Sequence, residues 1–251
     1  MTLVNRIALA LAAAVILTMP IFAVVARSRP LDPEVARRPK SLLLGYWVRD
    51  WAMWIITPIE RGCLRAGVAP DVFNFLGLGL SLAAGVAYAG HALSVAGWLV
   101  LLGGVSDIFD GRIARARNLA SPYGAFIDST LDRFAETFAF VGLAIGLAAA
   151  APWQAFAVAL ALGSSMLVSY TRARGEALGV ECKRGTMQRA ERLVLLGVAS
   201  IVDGAITSRT GWVPGSFLAA VILLIGLGAL GTAIYRTVFI SRALLHRSDT
   251  D

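Results

Sequence analysis

Charged residues and cysteines are both scarce in this chain. Only 16% of its 251 residues are charged, and only 2 are cysteines. A typical soluble domain carries about 25% charged residues, so the composition argues against a soluble protein. Cys63 and Cys182 form no C-x-x-C pair. The sequence therefore predicts neither a disulfide nor a zinc site.

Long apolar stretches fill most of the chain. Hydrophobic residues make up 57% of it, and the mean hydropathy is +0.71. A helix needs roughly 20 apolar residues to cross about 30 Å of hydrocarbon. The stretches that reach or approach this length are 7–26, 71–90, 94–111, 126–151, 153–170, 193–206 and 214–235. We predict an all-α polytopic membrane protein, with a six-transmembrane-helix bundle and one extra N-terminal hydrophobic helix.

Residues 1–40 allow two interpretations. The apolar run and the small residues at 23–26 resemble a signal peptide. Cleavage there would leave the basic segment 27–40 outside the membrane, against the charge pattern of the rest of the chain, so we predict a retained helix. A linker follows this helix, because three prolines interrupt any continuous helix: Pro30, Pro33 and Pro39.

Residues 41–68 are predicted to form an interfacial amphipathic helix. Charged residues are too frequent there for a spanning helix. Tryptophans recur at spacings of four and three among these charges, which is typical of a helix lying in the membrane interface. They are Trp47, Trp51 and Trp54. The alternative is a tilted span that breaks at Pro58.

The basic residues predict the orientation of the chain. The net charge is +7, with 23 Lys and Arg. If residues 27–70 are cytoplasmic and the spans alternate, only Arg6 and Arg209 lie outside. This asymmetry predicts the orientation of the chain, as a multi-pass protein of the cell (inner, cytoplasmic) membrane with its basic segments on the cytoplasmic side. The basic excess then reflects topology and contact with membrane lipids, and we expect no nucleic-acid partner.

Four aspartates interrupt this apolar sequence. They are Asp107, Asp110, Asp128 and Asp132. A charge within the bilayer costs roughly 2.5–3.5 kcal/mol, so such residues need a partner. Spacings of three and four put each pair on one helix face. Two such faces meeting across a helix pair would form an oxygen-rich site for two hard cations, Mg²⁺ or Mn²⁺, and such sites catalyse displacement at phosphorus.

Neighbouring residues support chemistry on phosphate. Gly111 lets a ligand approach the backbone beside Asp110. Ser121 and Pro122 suit the start of a helix. Arginines that could grip phosphate follow on the first helix: Arg112, Arg115 and Arg117.

Three alternatives compete with this interpretation. The first is a buried ion-pair network, Asp107 with Arg112 or Asp132 with Arg133, which would require neither glycine of the motif. The second is a cation transporter, which predicts acids spread through the bilayer midplane. The third is an aspartate-rich prenyl transferase, whose acids come from two separated motifs.

The aspartates belong to a longer motif, D-x-x-D-G-x-x-A-R-x8-G-x-x-x-D-x-x-x-D, which the chain matches at every fixed position between 107 and 132. This motif resembles that of the CDP-alcohol phosphatidyltransferase family. The segments 169–179 and 188–193 are similar to the phosphatidylinositol phosphate synthase and phosphatidylglycerophosphate synthase branches. The resemblance covers roughly residues 58–245, and we assign 69–247 to the membrane domain.

The resemblance implies a role for each matching position. Asp107, Asp110 and Asp128 would hold two divalent ions, and Asp132 would be both a ligand of the second ion and the general base. The CDP-lipid would contact Asp71, Val72, Phe73, Asn74, Gly111, Arg115 and Ser121. The acceptor's phosphate would contact Arg172, Arg192 and Arg236, although the chain's basic ends also reflect topology.

The implied reaction transfers a phosphatidyl group from CDP-diacylglycerol, or a similar CDP-lipid, to an alcohol and releases CMP. The three arginines favour a phosphorylated polyol, inositol phosphate or glycerol 3-phosphate. An unphosphorylated alcohol and an archaeal-type lipid donor also fit the motif. The resemblance further implies a homodimer, and the topology predicted from the basic residues puts the active site on the cytoplasmic side.

Overall fold

The computed structural model describes residues 2–37, 44–147, 151–210, 213 and 215–248. All regular elements in these ranges are α-helices, as predicted. In chain order they are α1 (Leu3–Val25), α2 (Pro33–Arg37), α3 (Tyr46–Arg65), α4 (Pro70–Ala89), α5 (Leu93–Ala116), α6 (Pro122–Leu147), α7 (Pro152–Ala177), α8 (Arg189–Thr210) and α9 (Ser216–Ser248).

Five of the described helices are long and apolar enough to cross a membrane: α1, α4, α5, α7 and α9. The predicted six-span core also requires α6 and α8, so that count stays a prediction. Helix α8 has 22 residues and is therefore longer than the apolar run 193–206 that predicted it. At 1.5 Å per residue this helix is about 33 Å long, enough to reach across the hydrocarbon.

Helix α1 is fixed to the rest of the fold at both of its ends. Near its start, Asn5 Nδ2 donates to the carbonyl oxygen of Gly204 at 2.7 Å. Near its end, Trp51 Nε1 donates to Thr18 Oγ1 at 2.9 Å. Phe22 is fully buried there. The extra N-terminal hydrophobic helix is therefore a packed part of this structure.

Helix α3 continues through Pro58, so the alternative of a span that breaks at that residue is wrong. Residues 41–43 of the predicted interfacial helix lie outside the described residues. One face of α3 is apolar: Met53 and Ile56 are buried in a cluster with Phe109 and Ile113 of α5. This contact holds α3 against the end of α5 that carries the aspartates.

Glycines allow the core helices to pack at backbone distance. A β-carbon at Gly142 of α6 would overlap the backbone of Gly85 in α4. A β-carbon at Gly97 of α5 would lie 2.5 Å from the carbonyl oxygen of Gly197 in α8. Small residues at such crossings let helices associate in a bilayer by close packing. Both contacts bring the helices of the candidate site together.

Candidate active site

Helices α5 and α6 bring three of the four predicted aspartates together. A carboxylate oxygen from each of Asp107, Asp110 and Asp128 lies within 4.8 Å of the other two. Two carboxylates at this separation repel each other by roughly 3 kcal/mol at an effective dielectric constant of 20. A divalent cation would relieve this repulsion, and clustered carboxylate oxygens are the ligands that Mg²⁺ and Mn²⁺ prefer.

A third helix, α4, supports both α5 and α6. Among the described residues, α5 and α6 both pack along α4 and make little contact with each other. Asp110 is buried, and its carboxylate accepts a hydrogen bond from the backbone nitrogen of Gly111. This bond orients the Asp110 carboxylate at the centre of the cluster.

A pocket adjoins the aspartates. Its lining includes Phe73 and Asn74 from α4, and Asp107, Asp110 and Asp132 from α5 and α6. Two of the predicted CDP-lipid contacts thus lie beside the carboxylates, because α4 begins at the same end of the bundle as the aspartates. Carboxylates line one side of this pocket, and carboxylates of this kind could hold cations that neutralise a diphosphate.

The other predicted CDP-lipid contacts lie at the ends of α4, α5 and α6. Asp71 and Val72 are exposed at the start of α4. Ser121 Oγ accepts a hydrogen bond from the backbone nitrogen of Gly124 at 3.1 Å, which confirms its predicted place at the start of α6. Arg115 pairs with Glu34 of α2. The N-terminal segment therefore reaches the motif arginine, a contact that the sequence did not suggest.

The arginines flanking Arg115 are engaged by the protein itself. Arg112 Nε donates to Glu60 Oε2 at 2.7 Å, and its Nη1 lies 3.1 Å from Glu34 Oε2. Arg117 donates to backbone carbonyl oxygens, including that of Gly67 at 3.0 Å. Arg112 and Arg117 thus attach α5 to α2 and α3, and a contact of either residue with phosphate stays a prediction.

Arg189 is the site residue that sequence reasoning missed. Its Nη1 lies 2.6 Å from Asp107 Oδ1 and its Nη2 lies 2.6 Å from Asp132 Oδ1. Arg133 lies near the same carboxylate, with 3.5 Å between Nη2 and Asp132 Oδ2. Ion pairing therefore exists at this site, but chiefly with a residue from α8. The Q-R-A-E-R-L segment at 188–193 was the only sequence signal for it.

The three predicted acceptor arginines lie in one region of the fold, where the positive charges of Arg172 and Arg192 both act on Arg236. The Arg172 side chain is 48% exposed and its Nε donates to Glu176 at 2.8 Å. Arg236 is buried, and its Nη1 donates to the Val168 carbonyl oxygen at 2.8 Å. This geometry leaves Arg172 the most accessible of the three.

Arg192 is held by a buried partner. Its Nε and Nη2 donate to the two carboxylate oxygens of Glu136 at 2.8 and 3.2 Å, and its Nη1 donates to the Met187 carbonyl oxygen at 3.2 Å. Both side chains of the pair are 3% exposed. Sequence reasoning assigned Arg192 to the acceptor without identifying this partner from α6.

The fold and the site define a membrane-embedded enzyme, in which a carboxylate cluster suited to divalent cations adjoins a basic region suited to phosphate. Residues 68–229 match the family model described as CDP-alcohol phosphatidyltransferase. The chain belongs to this family, which confirms the resemblance of its aspartate motif.

Known relatives agree with this assignment. The phosphatidylinositol phosphate synthase of Cutibacterium acnes is 36% identical over 209 residues, which cover 80% of this chain and 99% of that protein. The crystal structure of Mycobacterium tuberculosis phosphatidylinositol phosphate synthase with CDP-DAG bound is similar, with a TM-score of 0.64, 29% identity, and coverage of 74% of this chain and 93% of that one. The same enzyme in complex with manganese and citrate also has a TM-score of 0.64, with 30% identity over 74% and 88% of the two chains.

The protein is therefore a multi-pass membrane transferase of phospholipid synthesis. It moves a phosphatidyl group from a CDP-linked lipid to an alcohol, with divalent metal ions. The aspartate cluster accounts for the metal requirement, since it gathers hard oxygen ligands in one place.

Proposed function

We propose that this enzyme transfers the phosphatidyl group of CDP-diacylglycerol to inositol phosphate and releases CMP. The observation that carries the proposal is the cluster of Asp107, Asp110 and Asp128 carboxylates within 4.8 Å of one another, beside a pocket that opens between α4, α5 and α6. Its relatives that carry the name phosphatidylinositol phosphate synthase support the choice of acceptor.

The donor would bind at the start of α4 and the end of α5. We assign the CDP contacts to the residues that the family motif implies: Asp71, Val72, Phe73, Asn74, Gly111, Arg115 and Ser121. Phe73 and Asn74 line the pocket next to the aspartates, which supports a diphosphate lying between these residues and the carboxylates. The lipid chains would then extend into the bilayer alongside α4.

Two divalent ions are proposed, held by Asp107, Asp110 and Asp128, with Asp132 as a further ligand of the second ion. Bound there, the ions would neutralise the diphosphate and stabilise the leaving CMP. Asp132 is proposed to accept the proton of the acceptor hydroxyl. The hydroxyl oxygen then bonds to the β-phosphorus, the bond from that phosphorus to the CMP oxygen breaks, and the phosphodiester product stays in the bilayer.

The acceptor phosphate would bind near Arg172, Arg192 and Arg236. Arg172 is proposed to contact it directly because its guanidinium is the exposed one. Arg236 and Arg192 would contribute positive charge from buried positions. Three cations around one small region fit an acceptor that carries a phosphate better than a neutral polyol.

The active site is proposed to face the cytoplasm of a bacterial-type cell membrane. The basic residues support this orientation. The hydrogen bond between Asn5 and Gly204 agrees with the predicted alternation of the spans, because it joins the start of α1 to the distal part of α8 at one end of the bundle. The homodimer implied by the family resemblance stays a prediction.

The acceptor can be tested with purified protein, CDP-diacylglycerol and Mn²⁺ or Mg²⁺. We expect CMP release with inositol phosphate, and less with glycerol 3-phosphate, inositol or serine. The matched control is Asp110→Asn, which removes one carboxylate of the cluster with little change in side-chain volume. Faster CMP release with inositol or serine than with inositol phosphate would contradict the proposed acceptor. If none of these alcohols caused CMP release, the transferase proposal itself would be contradicted.

A further inference from the structure

Arg189 joins two helices of the site from a third. It is the first residue of α8, and its guanidinium bridges Asp107 of α5 and Asp132 of α6 through two contacts of 2.6 Å. Its side chain is only 21% exposed. Guanidinium groups bind carboxylates strongly when both nitrogens are used. In this state one positive charge offsets part of the repulsion among the four aspartates.

This bridge occupies the ligands that a second divalent ion would need. Asp132 is absent from the group of carboxylates that converge within 4.8 Å among the described residues, and its Oδ1 contacts Arg189 instead. Asp107 and Asp132 would hold divalent ions in competition with the guanidinium that now contacts Asp107 Oδ1 and Asp132 Oδ1, because the ions and the guanidinium are all positively charged.

We propose that Arg189 is a positioning residue that holds Asp107 and Asp132 in the metal-free enzyme and releases Asp132 when the second divalent ion binds. This inference rests on the two-ion site of the proposed function.

The surroundings of Arg189 offer the guanidinium a second position. Arg189 lines the pocket that contains Asp107 and Asp132 and also the adjoining pocket that contains Glu136. The negative charge of Glu136 attracts it. Its Nε has no hydrogen-bond partner among the described residues, so leaving Asp132 requires the loss of the two Nη contacts alone.

Manganese binding tests the inference without relying on turnover. Purified wild-type protein, Arg189→Gln and Arg133→Gln are titrated with Mn²⁺, and the free ion is followed by electron paramagnetic resonance. Arg133 is the matched control, since it carries the same charge and lies near the same Asp132 carboxylate. We expect two bound ions in the wild type, and a Kd for the weaker ion that falls about fivefold or more in Arg189→Gln but less in Arg133→Gln.

Thermal unfolding gives a second readout. In EDTA, Arg189→Gln should melt below the wild type, because the aspartates lose their counter-charge. At saturating Mn²⁺ the difference should disappear. A deficit of the same size with and without Mn²⁺ would show a purely structural role and overturn the inference.

Three binding results would also overturn it: equal tightening in both variants, loss of the second ion in Arg189→Gln, or a second ion that appears only in that variant. A single ion in all three proteins would overturn both the inference and the two-ion site. CMP release with inositol phosphate, measured on the same wild-type sample, separates these failures from a failure of the proposed transfer reaction.

Discussion

The buried pair between Arg192 and Glu136 leads to a prediction about which arginines hold the structure and which bind substrate. We consider Arg192→Ala. Each side chain of the pair is 3% exposed, and the guanidinium donates to both carboxylate oxygens. Removing the arginine leaves the Glu136 charge buried without its main counter-ion. We therefore expect a loss of folding stability before any specific loss of acceptor binding.

The expected magnitude follows from this burial. Breaking a buried ion pair by removing one partner costs about 3–5 kcal/mol. For a chain of this size, each kcal/mol lowers Tm by roughly 2–4 °C, so Arg192→Ala should melt about 6–20 °C below the wild type. The double variant Arg192→Met with Glu136→Leu should recover much of this loss, because replacing both charges by apolar groups removes the unpaired buried charge.

The assay is thermal unfolding in detergent, combined with the KM for inositol phosphate. Arg172→Ala is the matched control: its side chain is 48% exposed and pairs with Glu176, and exposed pairs contribute about 0–1 kcal/mol. It should melt within a few degrees of the wild type and raise the acceptor's KM. If Arg192→Ala instead kept the wild-type Tm while raising that KM, the reasoning from burial would be refuted.

Two further predictions concern the donor site and the helix packing. Glu34→Gln removes the ion pair with Arg115, whose side chain is 55% exposed. Because such exposed pairs are worth about 1 kcal/mol or less, the KM for CDP-diacylglycerol should fall by up to about fivefold while the KM for the acceptor stays constant. A rise in the KM for CDP-diacylglycerol would show instead that Glu34 helps position Arg115. Gly142→Ala places a β-carbon against Gly85 and should cost about 1–3 kcal/mol. Gly163→Ala in α7 meets open space and should leave Tm unchanged or higher; equal Tm values for the two variants would contradict the close packing of α4 and α6.

Local features of the site could be predicted from the sequence. Asp107 and Asp110 lie three residues apart, and a helix puts such residues on one face whatever the rest of the fold does. The convergence of Asp128 with them followed from the same spacing rule and from the cost of charge in a bilayer. The start of α6 was also readable, because Ser121 caps the helix through a contact three residues away.

Partners from distant parts of the chain could not be predicted. Arg189 reaches Asp107 across α5 and α8, and Glu136 reaches Arg192 across α6 and α8. These pairs form because glycines such as Gly97 and Gly197 let the helices approach closely. A sequence shows the charge of each residue but not which helix it will face.

The same limit explains why the partners of Arg112 could not be predicted. Its position after the aspartates suggested a phosphate contact, yet α2 and α3 bring Glu34 and Glu60 to it. The short helix α2, which begins at Pro33, was not predicted either. The prolines around it indicate only a linker. Arg112 thus serves the docking of the N-terminal segment.

The stoichiometry of the products tests the central claim most directly. Purified protein is incubated with CDP-diacylglycerol, inositol phosphate and Mn²⁺, and CMP and lipid products are quantified together by mass spectrometry. Phosphatidyl transfer predicts one phosphatidylinositol phosphate formed for each CMP released, with both products lost in Asp132→Asn and in EDTA. CMP accompanied by phosphatidic acid, or equal amounts of product in Asp132→Asn, would contradict the transfer mechanism.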